Sequence, residues 1–460
     1  MLMKACHWRN GGHFNAHAAK VLPAMMVHLP PRWVVVLTIL LLRAVETTCI
    51  AANEPPLTLD LAQCRAQALE AAPELATAKA DVEAGRLGLR IADAAILPSV
   101  RAEGGYLRSS VDRRGVPDFA ANNGENEYIA RGVVSQPLYA GGSLAAARRK
   151  ARAEAAGTEE TLASVRGQVL LATDRAYFSV LGAQEKRTIA DSALAVAKEA
   201  LRAARVRFEN GEVPSFDVAK LELEVANATT ALKNAEADVA IARNDLAILI
   251  ALPPDAFVLQ ALPTADGGPL GLPPVGDLVA QALARPDVKR LEQDLRASEA
   301  AAGLARGARL PQVNAEAAGG YDSLNLPDRH NVGWQAGVAV SAPLWDWNIL
   351  ANREGVANLE VEKARKRLEG AQRAVRAEVA RRYLEANRAH EQLLASGAAE
   401  QLSARNADIA RKGYDLGLVS SLDLITAQRQ AATARNERAA ATFEEQLAVS
   451  ELDFAAGRLR

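Results

Sequence analysis

The chain has no proline between Pro137 and Pro214 and none after Pro343. Proline breaks a helix interior by steric clash and by its missing donor, so these gaps are where very long helices can run. Both are rich in Ala, Leu, Glu, Arg and Lys, the residues that lose least on entering a helix. The first reads as one helix from about Ser143 to Phe208. At 1.5 Å per residue it is a rod on the order of 100 Å. Few globular domains hold such a rod, which belongs in a coiled coil or a helical barrel. Hydrophobic residues make up 49% of the chain but aromatics only 4%. Thin layers of closely packed helices suit that supply of small side chains better than a thick core does.

The rods end in a turn that is written twice, as "ENGEVPSFDV" from Glu209 and as "DLGLVSSLDL" from Asp415. Gly211 falls on Gly417, Val213 on Val419, Ser215 on Ser421 and Asp217 on Asp423, all at an offset of 206. Glycine suits the left-handed residue that closes a helix. Ser215 and Ser421 are then the expected N-caps of the returning helices. A carboxylate two residues further on suits the positive end of the helix dipole. Each half is therefore expected to carry one helical hairpin tip.

The repeat is wider than its tips. Residues 71–100 resemble 284–313, "VSQPLY" resembles "VSAPLW", and Tyr177 falls on Tyr383. The expected organisation is a first repeat over 53–252, with a β-hairpin at about 99–139 and a tip at about 209–217. A second repeat over 278–460 has its β-hairpin at about 312–345 and its tip at about 415–423. The proline- and glycine-rich 253–277 reads as an extended linker.

The zone before each long helix alternates with a period of two. Val332, Trp334, Ala336, Val338 and Val340 do so in the second half, and Tyr128, Ala130, Gly132 and Val134 in the first. That is a strand signal, and with 99–107 and 312–322 it makes two hairpins. Aromatics gather here: Tyr106, Phe119, Tyr128, Tyr139, Tyr321, Trp334, Trp345 and Trp347. Membrane barrels place aromatics at the lipid interfaces; a small soluble sheet capping a helical bundle is the other reading. Four strands cannot close a wide barrel, and lipid tolerates no open edge. Membrane insertion would require several chains to share one barrel.

Arg32, the apolar run Trp33–Leu42 and the small residues after it form an export-signal pattern, with cleavage expected after Ala51 or Ala52. A lipidated Cys49 or an uncleaved anchor are the alternatives. The run is shorter than the roughly 20 residues of a transmembrane helix. Cys6, His7, His13 and His17 lie within this 1–52 leader, which leaves no metal site expected in the exported chain. With 54 basic and 55 acidic residues there is no electrostatic footprint for nucleic acid. No nucleophile–base pair stands out, so neither enzyme nor cofactor is expected.

Leader, short helix ending "LPS" or "LPQ", hairpin, "QPLYAGG", long helix, tip turn and returning helix, then the series again: over roughly Leu57 to Leu459 this resembles the TolC family of outer-membrane efflux proteins. The resemblance implies a mainly α fold with a membrane β-barrel part. In it a homotrimer shares a twelve-stranded barrel in outer-membrane lipid, continued by a long α-helical barrel through the periplasm. It implies passive conduction of cargo supplied by an inner-membrane transporter, with a periplasmic adaptor docking at the tips. The docking residues implied are Gly211, Val213, Ser215, Gly417, Leu418, Val419, Ser420 and Ser421. The aperture residues implied are Asp217, Asp423 and Tyr414. Val419 stands where the family pattern has a gate arginine, and Thr426 where it has a second aperture aspartate. The competing expectation is an exported periplasmic coiled-coil adaptor or scaffold, without lipid-facing strands.

Overall fold

A computed structural model describes residues 57–108, 126–260, 268, 270–323 and 332–459. Residues 1–52, expected to be a leader, and Phe119 lie outside these residues. The architecture below is that of Thr58–Arg460, one compact unit, with Leu57 at its start.

Two copies of one series of elements follow each other. The first is β1 (Leu57–Leu59), α1 (Leu61–Ala71), α2 (Pro73–Ala94), β2 (Ser99–Arg108), β3 (Asn126–Ala140), α3 (Ser143–Glu209) and α4 (Ser215–Ile250). The second is β4 (Phe257–Leu259), α5 (Val275–Ala282), α6 (Pro286–Gly307), β5 (Gln312–Ser323), β6 (Val332–Ser341), α7 (Ile349–Asp415) and α8 (Ser421–Ala455). The segment read as an extended linker thus contains β4, which pairs with β1, and the start of α5.

The long helices α3 and α7 are 67 residues each, roughly 100 Å of rod at 1.5 Å per residue. Along α3, the strand-proximal end packs on α2, where Gly85 lies against Ala155 and Arg86 pairs with Glu159. Its turn-proximal end packs on α4 through Lys186–Asp238 and Arg205–Glu222. Contacts of α3 with α8 and α6 rest on small residues. A Cβ added to Gly182 would stand 3.4 Å from the Phe443 ring, and one on Gly303 3.4 Å from Ala146.

Large side chains concentrate in three clusters. Tyr177, Phe178, Leu246, Ile250 and Phe257 pack with Leu59 where α1, α3 and α4 meet β1 and β4. Leu278, Val288, Val375, Val379 and Leu452 form the counterpart in the second half. The third cluster lies at the tips and includes Tyr414, Leu221 and Leu424. Beside the first, Arg65 forks onto both oxygens of the fully buried Asp174 at 2.6 Å each. No helix among the described residues is long and apolar enough to cross a membrane.

Apart from the β1–β4 pair, the strands form one four-stranded antiparallel sheet in the order β2-β3-β5-β6. Backbone at positive φ joins it to the rods in both halves. Gly141 and Gly142 precede α3, and Trp347 and Asn348 occupy the same conformation before α7. Glycine adopts it freely and asparagine tolerates it, whereas tryptophan rarely does.

Candidate functional site

Two places bear on function, the paired tips and the two faces of the sheet. At the first tip Gly211 has φ 78°. Its amide bonds Phe208 O at 2.9 Å, while the Glu212 amide reaches Arg207 O at 2.9 Å. At the second, Gly417 has φ 74°, with the equivalent bonds from Gly417 to Tyr414 O and from Leu418 to Gly413 O. Both are Schellman closures, which satisfy carbonyls that the helix end leaves free.

The expected N-caps shift by one residue. Pro214, not Ser215, caps α4, and Ser420, not Ser421, caps α8. Pro214 is extended, and Ser215 is an exposed first residue of its helix. Ser420 accepts the Asp423 amide at 3.2 Å and donates to Asp423 Oδ2 at 2.7 Å. The buried Ser421 hydroxyl instead crosses to the other hairpin and donates to Asp217 Oδ1 at 2.7 Å. Lys220 lies 3.5 Å from the same oxygen. The two aspartates therefore differ: Asp217 is half-buried and bonded between hairpins, while Asp423 is exposed beside its own cap.

Tyr414 is buried in the tip cluster, where burial pushes its hydroxyl above the ordinary phenol range. Arg207 stacks on its ring with 4.8 Å to the centroid. The same guanidinium donates to Tyr414 O at 2.6 Å and Asp415 O at 2.5 Å, capping the C-terminus of α7 from α3. Arg207 has no sequence signal, because its partners lie on the other hairpin; Lys220 follows Asp217 by three residues, a spacing that a helix makes adjacent. Val419 folds back over Gly413, while Val213 is half-buried. Leu418 is 80% exposed, and Leu416, Leu422 and Phe216 are exposed with it.

The sheet has two unlike faces. Opposed residues in an antiparallel ladder share a face. The register places Val100, Val134, Ala317 and Ala336 in one row and Ala102, Gly132, Gly319 and Trp334 in the next. Val338 and Val340 continue this face, which carries no charge between its aromatic ends and is largely exposed, Trp334 at 84%. At the end away from the helices the Tyr106 and Tyr128 rings pack tilted by 35° with centroids 4.9 Å apart, and Tyr321 is on the same face. At the helix end stands Tyr139, turned onto this face by a bulge after Pro137. Beyond the helix end of β6, Trp345 packs edge-on to Trp347 at 5.5 Å. From Tyr128 to Tyr139, β3 runs about 36 Å at about 3.3 Å per residue. Tilted by about 40°, that strand rises about 28 Å, close to the hydrocarbon thickness of a bilayer. Arg101, Glu103, Arg131, Glu316 and Gln335 all lie on the opposite face.

Twin helical hairpins below a two-faced antiparallel sheet define the class of outer-membrane channel proteins with a helical barrel. The chain belongs to the outer membrane efflux protein family, whose family model matches residues 65–251 and 278–458. Proteins of this family are channels, not enzymes. The chain is 27% identical to the cobalt-zinc-cadmium resistance protein CzcC of Cupriavidus metallidurans over 218 residues, 46% of this chain and 49% of that one. It is 26% identical to the pyoverdine export outer membrane protein OpmQ of Pseudomonas aeruginosa over 287 residues, 61% of this chain and 60% of that one. The matched regions thus span about half to three-fifths of these curated relatives. The fold is similar to that of the Campylobacter jejuni CmeC outer membrane channel, with TM-score 0.76 and 19% identity over 86% of this chain and 85% of that one.

Proposed function

We propose that this chain is the outer-membrane exit duct of a tripartite efflux or type I secretion system, passing cargo from an inner-membrane pump through the periplasm to the exterior. The observation that carries this reading is the uncharged, exposed face of the sheet, bounded by aromatics about one bilayer thickness apart. A water-soluble scaffold would gain nothing from Trp334, Val332, Val338 and Val340 standing in solvent. The names of the two curated relatives, one a metal-resistance protein and one a pyoverdine exporter, point to efflux with differing cargo.

The duct is a homotrimer. Strands β2 and β6 are open edges of the sheet, and lipid does not accept unpaired strand edges. Three copies close twelve strands into one barrel. Exposed apolar stripes on the helices fit the same assembly. Leu223, Ile241 and Ile248 fall on one line of α4, and Leu359, Leu384, Leu402 and Ile409 on one line of α7, at helical spacings that would bury against a neighbouring copy. The exposed leucines beside Gly417 and the turn at Gly211 form the docking surface for a periplasmic adaptor. Asp217 and Asp423, three of each, line the closed aperture, and Tyr414 packs behind them. Planar bilayers test the reading: the purified full chain is expected to give discrete conductance steps, and its failure to insert would overturn the proposal.

A further inference from the structure

On the polar face of the sheet, Arg101 Nε donates to Glu103 Oε1 at 2.7 Å and Arg131 Nε donates to Glu103 Oε2 at 2.8 Å. Arg101 Nη2 also reaches Glu316 Oε1 at 3.5 Å. One carboxylate thus holds two guanidiniums, one on each oxygen, across β2 and β3. Beneath them in the register, Val133 stands opposite both Arg101 and Ala318, and Val133 and Ala318 are buried. The charges form a collapsed layer on the wall of the sheet. Within that layer two arginines balance two glutamates.

We propose that Glu103 sets the ion selectivity of the strand-built part of the duct, by offsetting the charge of Arg131 beside the Arg101–Glu316 pair on its lining. The inference rests on the duct reading above. Without Glu103 this cluster would carry one more positive charge in each copy. Rings of like charge bias which ions a pore passes. Such a bias reaches into a wide barrel only over the Debye length, about 30 Å at 0.01 M salt and about 3 Å at 1 M. The effect of Glu103 is therefore strong in dilute salt and absent in concentrated salt.

The test is reversal potential in planar bilayers under a KCl gradient near 0.01 M. The full chain carries Asp217→Asn and Asp423→Asn, so that the tip does not dominate the reading. Glu103→Gln is expected to move the potassium-to-chloride permeability ratio about twofold or more toward chloride. Arg131→Gln moves it toward potassium, and the two together restore the parent ratio. All shifts disappear in 1 M KCl. Unchanged ratios in dilute salt for both single variants, or shifts that persist at 1 M, overturn the proposal. If Glu103→Gln does not assemble, Arg131→Gln still decides it. A parent chain that forms no channels overturns the duct reading instead.

Discussion

Ser421 on α8 donates its hydroxyl to Asp217 on α4 at 2.7 Å, joining the two tips through residues 204 apart in the chain. With the Arg207 cap on the end of α7, this bond makes the two hairpins of one protomer a single tied unit. Losing one such hydrogen bond to a carboxylate costs about 1.5–3 kcal/mol, enough to shift an aperture but not to unfold a helical bundle. Ser421→Ala is expected to raise the frequency of high-conductance openings in bilayers while leaving block by trivalent cations in place. Asp423→Asn is expected to do the reverse, lowering cation selectivity and relieving block, because its carboxylate is exposed. Identical behaviour of the two variants would contradict distinct roles for the two aspartates.

Leu418 is exposed at the end of a Schellman turn whose backbone bonds do not involve its side chain. Leu418→Glu is expected to abolish transport in cells at unchanged abundance and assembly, since a charge would stand where an apolar contact is made. Normal transport by this variant would remove the second tip from the docking surface.

Gly141 has φ 59°, and a Cβ there would lie 2.8 Å from Leu310 Cβ and far inside contact distance of the Gly307 carbonyl oxygen. Gly141→Ala is expected to cost about 2–4 kcal/mol, combining backbone strain with a clash against the end of α6. Gly142 has the same backbone conformation but open space around it, so Gly142→Ala should cost about 1 kcal/mol from φ alone. Thermal unfolding of the two proteins checks the order; equal losses would refute the close-approach explanation.

Asp453 is raised above the usual carboxylate range by burial, against the opposing pull of Arg458 and Arg65. A carboxyl that binds its proton more tightly in the folded state contributes stability at low pH, and that contribution is lost as pH rises through the folded pKa. Asp453→Asn should therefore raise the melting temperature relative to the parent more at pH 7 than at pH 4. Its 3.3 Å pair with Arg458 is partly open to solvent, which weakens the opposing pull. A gain that is greater at pH 4 would reverse the assigned sign.

Much of this architecture was legible because it is local. The absence of proline marked the two rods, the alternation at 332–340 marked β6, and the glycines of the twin turns marked the helix ends. The long-range pairings were not legible. Ser421 looked like a cap because residue type alone cannot tell a hydroxyl bonded to its own helix from one bonded to another. The Glu103 cluster joins strands whose register no periodicity reveals. Likewise β1 and β4 are three residues each, too short for a pattern, and exist through pairing across nearly the whole first repeat.

The central claim is that several copies close their open sheet edges in an outer membrane. Fractionation of the host's membranes, followed by mass measurement of the detergent-purified full chain, tests it in one experiment. The account predicts recovery with the outer membrane and a mass of three chains. A monomer recovered from the soluble periplasmic fraction would contradict it.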